Sequence, residues 1–355
     1  MTDVLAQTIS DTKDAADAAG LRYVNTDSPG LTRRRAGKGF SFVGPDGQRV
    51  GDRKTLERIK GLAIPPAWRD VWICPRADGH IQAIGYDEKG RKQYLYHPRF
   101  REVRDEAKFE HMMAFAEALP ALRERVATDM AKSGLGRDKV LATVVCLLET
   151  TMIRVGNASY ARDNGSFGLT TLRVRHVKVE GTELRFHFKG KSGKVWKLSV
   201  RDRRVARIVK ACQDLPGQDL FQYIDDDGQR QSVTSADVNA YLKQASGGEI
   251  TAKDFRTWVG TVLAATALAE FGAAASPTEA KKNLTRAINQ VAAQLGNTAT
   301  VCRKCYVHPA VMDAYLDGAL ALQPPDELGA DFRPEEAAVL AFLRGRAEGE
   351  AGASA

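Results

Sequence analysis

Five side chains of this 355-residue chain are of types that act together on anionic esters: Arg154, Lys191, Arg256, Asn297 and Tyr306. A phenol oxygen is a nucleophile once its proton is removed. An arginine is a permanent cation whose planar fork matches phosphate oxygens. A lysine can hand over a proton, and an asparagine amide can donate a hydrogen bond. Each position alone also has an ordinary structural reading. Arg154 follows an apolar helical run and suits a charge that neutralises a helix end. Lys191 lies in Gly190-Lys191-Ser192-Gly193-Lys194, a composition that suits a solvated hairpin tip. Arg256 is placed to pair with Asp254, Asn297 after Gly296 is a common helix stop, and Tyr306 has the look of a packed aromatic.

Other chemistries fit less well. The histidines (His80, His97, His111, His176, His187, His308) show no ligand spacing. Cys302-x-x-Cys305 with His308 is the one metal candidate, and it lacks the second Cys or His pair that a structural zinc site needs. Neither a metal nor a cofactor is expected. Gly190-Lys191-Ser192 matches the end of a phosphate-binding loop, but that motif needs glycine where Arg185 stands and a strand entering a helix.

The elements that must position these residues are legible in the pattern. Residues 1–36 read as a flexible arm ending in Arg33-Arg34-Arg35. Residues 37–100 read as a β-rich domain, with strands over Gly39–Val43, Val71–Pro75, Ile81–Asp87 and Lys92–His97 and a helix near Lys54–Lys60. Asp46-Gly47, Asp78-Gly79 and Lys89-Gly90 punctuate it as turns. Residues 101–322 turn mainly helical. Val140, Leu141, Val144, Val145, Leu148, Met152 and Ile153 recur at helical spacing until Gly156-Asn157. Three strands follow, at Leu169–Val179, Glu183–Lys189 and Val195–Val200, the last two joined by the Lys191 turn. Further helices are expected at Asp202–Asp214 and Ser235–Gln244. Thr251 with Asp254 starts a helix through Phe271, and Ser276-Pro277 with Glu279 starts one that stops at Gly296. Residues 323–355 read as an acidic tail with one short helix, Glu335–Arg344.

Charge adds a partner. The formal net charge is +8, yet the first 30 residues carry −3 and the last 30 carry −4, which leaves +15 on the body between them. A basic body with acidic ends suits a polyanion such as nucleic acid. The polar N-terminus has no apolar segment of a signal peptide, and the longest apolar stretches, such as Val262–Ala269, are too short for a membrane span. Five cysteines at scattered positions suit reduced thiols. Cytoplasmic residence beside the nucleoid, with no membrane partner, is the expectation.

Taken in order, the motifs resemble those of a known family. Arg154-Val155-Gly156-Asn157 with Tyr160, Phe188-Lys189-Gly190-Lys191, Lys253-Asp254-Phe255-Arg256-Thr257-Trp258, Gly296-Asn297-Thr298 and Arg303-Lys304-Cys305-Tyr306 resemble the type IB DNA topoisomerases of the small poxvirus and bacterial kind. The spacing from Asn297 to Tyr306 is also the family's, and Lys92-Gln93-Tyr94-Leu95-Tyr96 resembles a DNA-contacting segment of the viral enzymes. The likeness spans roughly residues 30–322. One position departs from it: Asn297 stands where the viral enzymes carry histidine, and Asn can still donate a hydrogen bond.

The resemblance implies an α+β protein, a small antiparallel β-rich domain plus a larger mainly α-helical catalytic domain with a three-stranded sheet, clamping double-stranded DNA as a monomer. It implies that Tyr306 attacks a phosphodiester, forming a 3′-phosphotyrosyl link and releasing a 5′-hydroxyl. Arg154, Arg256 and Asn297 would stabilise the charge that builds on the nonbridging oxygens. Lys191 would protonate the departing alkoxide. The free end swivels and is resealed without ATP, because the tyrosine ester retains the energy needed for reversal. DNA contacts are expected from Gln93, Tyr94, Tyr96, Tyr160 and Lys253. Two other readings compete. A tyrosine recombinase would usually show His-x-x-Arg where this chain has Lys253-x-x-Arg256. A non-catalytic DNA binder would explain the basic body but not the ordered set.

Overall fold

The computed structural model describes residues 12–324 and 332–353. The chain divides into two units, residues 1–110 and 111–355, and the division falls inside one long helix.

The first unit is built on a five-stranded antiparallel sheet. Its strands are β1 (Leu31–Ala36), β2 (Gly39–Val43), β3 (Arg69–Ile73), β4 (Ile81–Tyr86) and β5 (Lys92–Tyr96), in the order β2-β1-β3-β4-β5. Helix α1 (residues 12–18) precedes them and α2 (Arg53–Gly61) lies between β2 and β3. Asp52 caps α2 by accepting from the Thr55 amide at 2.7 Å. Ile59 of α2 joins Leu31, Val71, Ile73 and Ala83 in the core.

Here the arm expected over residues 1–36 is corrected. Leu31–Ala36 is a strand paired on both sides, and Ala16, Ala19 and Leu21 are buried with Phe100. The arginine run hid the strand, because Arg33 is not a free surface cation. Its guanidinium donates to the carbonyls of Ile64 (3.2 Å), Pro65 (3.1 Å) and Trp68 (2.6 Å), so its charge is spent on closing a loop. His80, sandwiched against Tyr23 and Phe100, accepts from the Val24 amide and fixes the segment before β1. Only residues 1–11 of the expected arm lie outside the described residues.

Helix α3 (Pro98–Ala131) continues into the second unit, which is mainly helical. It holds α4 (Arg137–Thr151), α5 (Ala158–Asn164), α6 (Arg203–Gln213), α7 (Ser235–Ser246), α8 (Ala252–Phe271), α9 (Pro277–Leu295), α10 (Ala299–Cys305), α11 (Pro309–Leu316) and α12 (Pro334–Ala353). A three-stranded antiparallel sheet, β6 (Val177–Glu180), β7 (Glu183–Lys189) and β8 (Val195–Arg201), interrupts them. A small hairpin, β9 (Gln222–Ile224) with β10 (Arg230–Ser232), was not foreseen.

Helix α8 is the central member. It starts at a capping box in which the Thr251 amide and hydroxyl both donate to Asp254, at 2.8 and 2.9 Å. Nearly all its faces are apolar and buried: Phe255, Trp258, Val262, Ala264, Ala265 and Leu268. A helix apolar all round belongs inside a helical packing. Helix α9 starts at Ser276, with Pro277 in its first turn, and ends at Gly296, whose φ of +63° provides the left-handed stop.

Two further expectations change. The strand expected over Leu169–Val179 shrinks to β6. Residues 169–171 and 174–176 form tight turns instead, because the Leu169 and Thr170 amides are taken by the carbonyls of Arg154 and Val155. The acidic tail is not an appendage over its described part. Ala337–Leu340 and Leu343 of α12 are buried, and so is Glu336, which pairs with Arg123 at 2.8 Å. Arg123 also pairs with Glu149 of α4 at 2.7 Å, so two carboxylates hold one guanidinium. Residues 325–331 lie outside the described residues.

Candidate active site

The backbone around Arg154 is shaped before its side chain can be placed. Helix α4 ends at Met152, which turns left-handed with φ +58°, an uncommon conformation for a side chain of that size. The expected helix through Ile153 therefore stops one turn short of Arg154, which lies on an extended segment. That segment crosses residues 168–170: the Leu169 amide donates to the Arg154 carbonyl at 2.9 Å and the Thr170 amide to Val155 at 2.7 Å. The crossing is close. A Cβ on Gly168 would lie 2.5 Å from the Arg154 carbonyl oxygen, which only glycine tolerates.

Arg154 is half-buried and donates through Nη2 to Oδ1 of Asn297. Arginine has no acceptor, so the amide oxygen must face it. This fixes Nδ2 as the other end, and Nδ2 is buried with no protein partner. Asn297 thus does more than end a helix. Its oxygen orients Arg154 and its NH2 remains available to an incoming acceptor.

Arg256 is 4% exposed, deep in α8, and does not pair with Asp254. Asp254 is occupied by its capping box and by His111 at 3.3 Å. The Arg256 guanidinium donates through Nη1 to the Met152 carbonyl and through Nη2 to the Leu295 carbonyl. The unusual turn at Met152 therefore presents a carbonyl to this cation. Nε is buried without a partner. Burial, and then the charge of Arg154, pull the Arg256 pKa below its ordinary value. Two guanidinium groups whose charges act on one another are stabilised by an anion beside them.

Tyr306 terminates α10, its amide donating to Cys302 at 2.9 Å. Its ring lies over Arg256, with 5.2 Å from the guanidinium carbon to the ring centroid. The phenol is half-buried, so the side chain is neither core nor loose surface. Arg154 with Asn297 and Arg256 with Tyr306 accordingly form two contacting pairs, brought together by Arg256, which holds the carbonyls of Met152 and Leu295 two residues before Arg154 and Asn297.

Lys191 is held differently. The β7–β8 hairpin pairs from Glu183↔Arg201 to Lys189↔Val195, and Lys191 sits at the exposed tip beside Ser192, whose φ is +61°. No contact among the described residues joins Lys191 to the other four. The hairpin is docked beside its turn, however: Lys194 donates to the Ala293 carbonyl at 3.4 Å. Trp196 packs so closely that a Cβ on Gly190 would lie 2.7 Å from its Nε1, and a Cβ on Gly296 2.7 Å from its Cζ2. One indole therefore links the tip that carries Lys191 to the turn that carries Asn297.

The sequence reading missed three supports. Trp196 is one. Gly260 and Thr261 of α8 are the others, and they touch the backbone of Tyr306. A glycine inside an otherwise strong helix pattern was the available signal for a close approach.

The expected DNA contacts are distributed over both units. In the first, Tyr94 is exposed and stacks on Tyr96 at 6.0 Å, while Gln93 is half-buried and donates to Asp87 at 3.0 Å. In the second, Tyr160 on α5 and Lys253 at the start of α8 are exposed. The metal candidate does not converge. Cys302 is buried and its thiol is pushed up to about 11 by burial, Cys305 is exposed, and His308 Nδ1 accepts from the Ala310 amide to cap α11. Among the described residues no group of three or more His, Cys, Asp and Glu is placed to hold a metal ion.

Comparison with known proteins gives two family matches. Residues 97–324 match the catalytic core of eukaryotic DNA topoisomerase I, and residues 39–87 match the N-terminal domain of bacterial DNA topoisomerase IB. DNA topoisomerase 1B of Acanthamoeba polyphaga mimivirus is 33% identical over 81% of this chain and 87% of its own length. DNA topoisomerase 1B of vaccinia virus is 22% identical over 75% of this chain and 83% of its own. DNA topoisomerase 1 of Candida albicans is 26% identical over 59% of this chain, but over only 27% of its own length.

Proposed function

The chain belongs to the type IB DNA topoisomerase family, and from that membership we propose a mechanism in which its own residues cut and reseal one strand of DNA. The enzyme relaxes supercoiled duplex through a tyrosine-linked intermediate. The observation that supports the residue assignment is the pairing of Arg154 with Asn297 and of Arg256 with Tyr306, the two pairs brought together by the hydrogen bonds of Arg256 to the Met152 and Leu295 carbonyls.

In the proposed reaction Tyr306 Oη attacks the phosphorus of a backbone phosphodiester, its phenol proton passing to solvent water and returning from it when the tyrosine is later released. The P–O5′ bond breaks, the DNA 3′ end becomes esterified to the tyrosine and the 5′ oxygen leaves. Negative charge rises on the nonbridging oxygens as the bond forms. Half-buried Arg154, Arg256 Nε and Asn297 Nδ2 are the donors available to it, the last two buried with no protein partner. Such preorganised donors are worth about 2.7–4 kcal/mol each when removed singly. The leaving alkoxide takes its proton from Lys191, brought in on the hairpin tip. After rotation about the intact strand, the 5′-hydroxyl attacks the phosphotyrosine, Lys191 takes the proton back and Tyr306 is released. The ester bond made equals the bond broken, so no nucleotide is consumed.

Exposed Tyr94, Tyr160 and Lys253 are proposed as duplex contacts, with Tyr96 and Gln93 supporting the first of them. Phosphate contacts should dominate the affinity, so binding should weaken steeply with salt. We also propose that the enzyme works as a monomer in the cytoplasm beside the nucleoid, a reading supported by its five unpaired cysteines and its basic body. No described helix is long and apolar enough to cross a membrane.

The test is plasmid relaxation in excess chelator without ATP. Relaxation of both positive and negative supercoils is expected. Strict dependence of the covalent step on added magnesium would overturn the assignment of charge stabilisation to the arginines.

A further inference from the structure

The nucleophile's main chain is gripped by the same helix that carries Arg256. At Gly260 the contact is steric. A Cβ there would lie 2.6 Å from the Tyr306 carbonyl oxygen and 3.0 Å from the Tyr306 Cβ. Neither neighbour is the far end of a flexible side chain, so the helix surface has a notch into which the Tyr306 backbone fits. At Thr261 the contact is polar. Its fully buried hydroxyl donates to the Tyr306 carbonyl at 3.3 Å and accepts from the His308 amide at 3.1 Å. Met112 Sδ lies 3.4 Å from the same hydroxyl, but a thioether is the weaker acceptor.

One hydroxyl therefore serves two backbone groups on either side of Val307, in the short stretch where α10 has ended and α11 has not begun. Thr261 thereby gives a hydrogen bond to a backbone group on each side of the break between the two helices, where an unsatisfied buried group would be costly. The spacing along α8 matters too. Arg256 and Gly260 are four residues apart, on one helical face, separated by about 6 Å of axial rise. The cation and the seat of the nucleophile are two marks on a single rigid rule.

We infer that Thr261, together with the notch at Gly260, is the positioning device that sets Tyr306 at a fixed height over Arg256 for in-line attack. The inference rests on Tyr306 being the nucleophile. Neither residue touches DNA in this account. They act through the backbone of Tyr306, so their loss should slow bond-making and leave binding alone.

The experiment uses the full chain and a duplex that traps the covalent adduct, with cleavage measured in a single turnover and DNA affinity measured separately. Peptide mapping of the adduct in the parent comes first. Linkage to a tyrosine other than Tyr306 would overturn the underlying reading, whatever the variants do. With linkage at Tyr306 established, Thr261→Val keeps the shape and removes the hydroxyl. Cleavage and religation should both slow by about 10- to 100-fold, as expected for a small misplacement of a reacting group, with affinity unchanged. Thr261→Ser restores the hydroxyl and should cleave within about threefold of the parent, a rescue that packing alone would not give. Parent-like cleavage by Thr261→Val, or a defect in Thr261→Ser equal to that in Thr261→Val, would overturn the inference. Should Thr261→Val not fold, Gly260→Ala reads the same contact, and an unchanged cleavage rate there would overturn it equally.

Discussion

Arg256 and Lys191 are both cations on which the proposed reaction depends, and the protein holds them in opposite ways. Arg256 is 4% exposed, clasped by two carbonyls and covered by the Tyr306 ring. Lys191 itself stands exposed at the tip of a hairpin that is docked beside its turn, through Trp196 and through Lys194, which donates to the Ala293 carbonyl at 3.4 Å. The difference follows from what each must do. A group that stabilises developing charge is most effective when it does not reorganise, and a dry setting strengthens it. A general acid must meet the particular oxygen that departs, and that oxygen arrives with the DNA. In the proposed reaction the fixed charge is thus built into the helical frame, while the proposed proton donor is left exposed on a hairpin tip.

That comparison can be broken or sharpened by substitution. Tyr306→Phe keeps the ring over Arg256 and removes the attacking oxygen. Relaxation should vanish while duplex binding persists, and comparable relaxation by this variant would displace Tyr306 from the mechanism. Arg256→Lys is the sharper probe of the buried frame. A single ammonium cannot serve two carbonyls and a phosphate in the guanidinium's geometry, so single-turnover cleavage should fall by about a thousandfold, nearly as far as in Arg256→Ala. A mild defect in the lysine variant would mean that charge alone suffices.

Asn297→Ala removes both the acceptor that orients Arg154 and the free NH2. Cleavage and religation should slow together by about a hundred- to a thousandfold, with affinity nearly intact. Parent-like cleavage would reduce Asn297 to a helix stop. Asn297→His should recover much of the rate above neutral pH, where one ring nitrogen accepts from Arg154 and the other donates. Below about pH 6.5 an imidazolium loses its acceptor and repels Arg154, so this variant's rate should fall with a titration that the parent lacks.

Lys191→Ala tests the exposed side of the comparison. It should slow cleavage about a hundredfold on ordinary DNA. With sulfur in place of the bridging 5′ oxygen, the leaving group barely needs a proton, and the defect should nearly disappear. Equal defects on both substrates would assign Lys191 to binding or charge. The smallest catalytic effect is expected at Glu336, which has no contact with the four residues and pairs instead with Arg123. Glu336→Gln weakens a buried ion pair to Arg123. A lower melting temperature with unchanged single-turnover cleavage is the expected pattern. A cleavage defect would tie α12 to the chemistry.

The candidate group could be named from the sequence for a physical reason. Phosphate chemistry restricts residue type tightly at a few positions, and helix ends such as Ser276-Pro277 and Gly296 carry their own signals. The strands β2 to β5 were marked by alternation and Gly-containing turns. Strand β1 was not, because Arg33 stands in it as an inward-facing residue whose charge is satisfied by carbonyls, a partnership that composition does not reveal. Helix α12 was misjudged likewise. Its acidic residues suggested solvent, yet Glu336 is neutralised by an arginine more than 200 positions away. The supports of Tyr306 were missed because a backbone contact leaves almost no trace in side-chain pattern beyond a single glycine.

The packing of Trp196 has a consequence for how this sequence can change. Its indole occupies the space that a Cβ would need at both Gly190 and Gly296. The three positions are therefore not independent variables. While the tryptophan stays, any side chain at 190 forces the hairpin off its seat, and only a smaller residue at 196 would release that position. Position 296 would remain restricted even then, since its φ of +63° favours glycine for a separate reason. Drift should accordingly pass through 196 before 190, and homologues that have lost the indole should be the ones that tolerate a side chain at position 190, where the Lys191 turn begins.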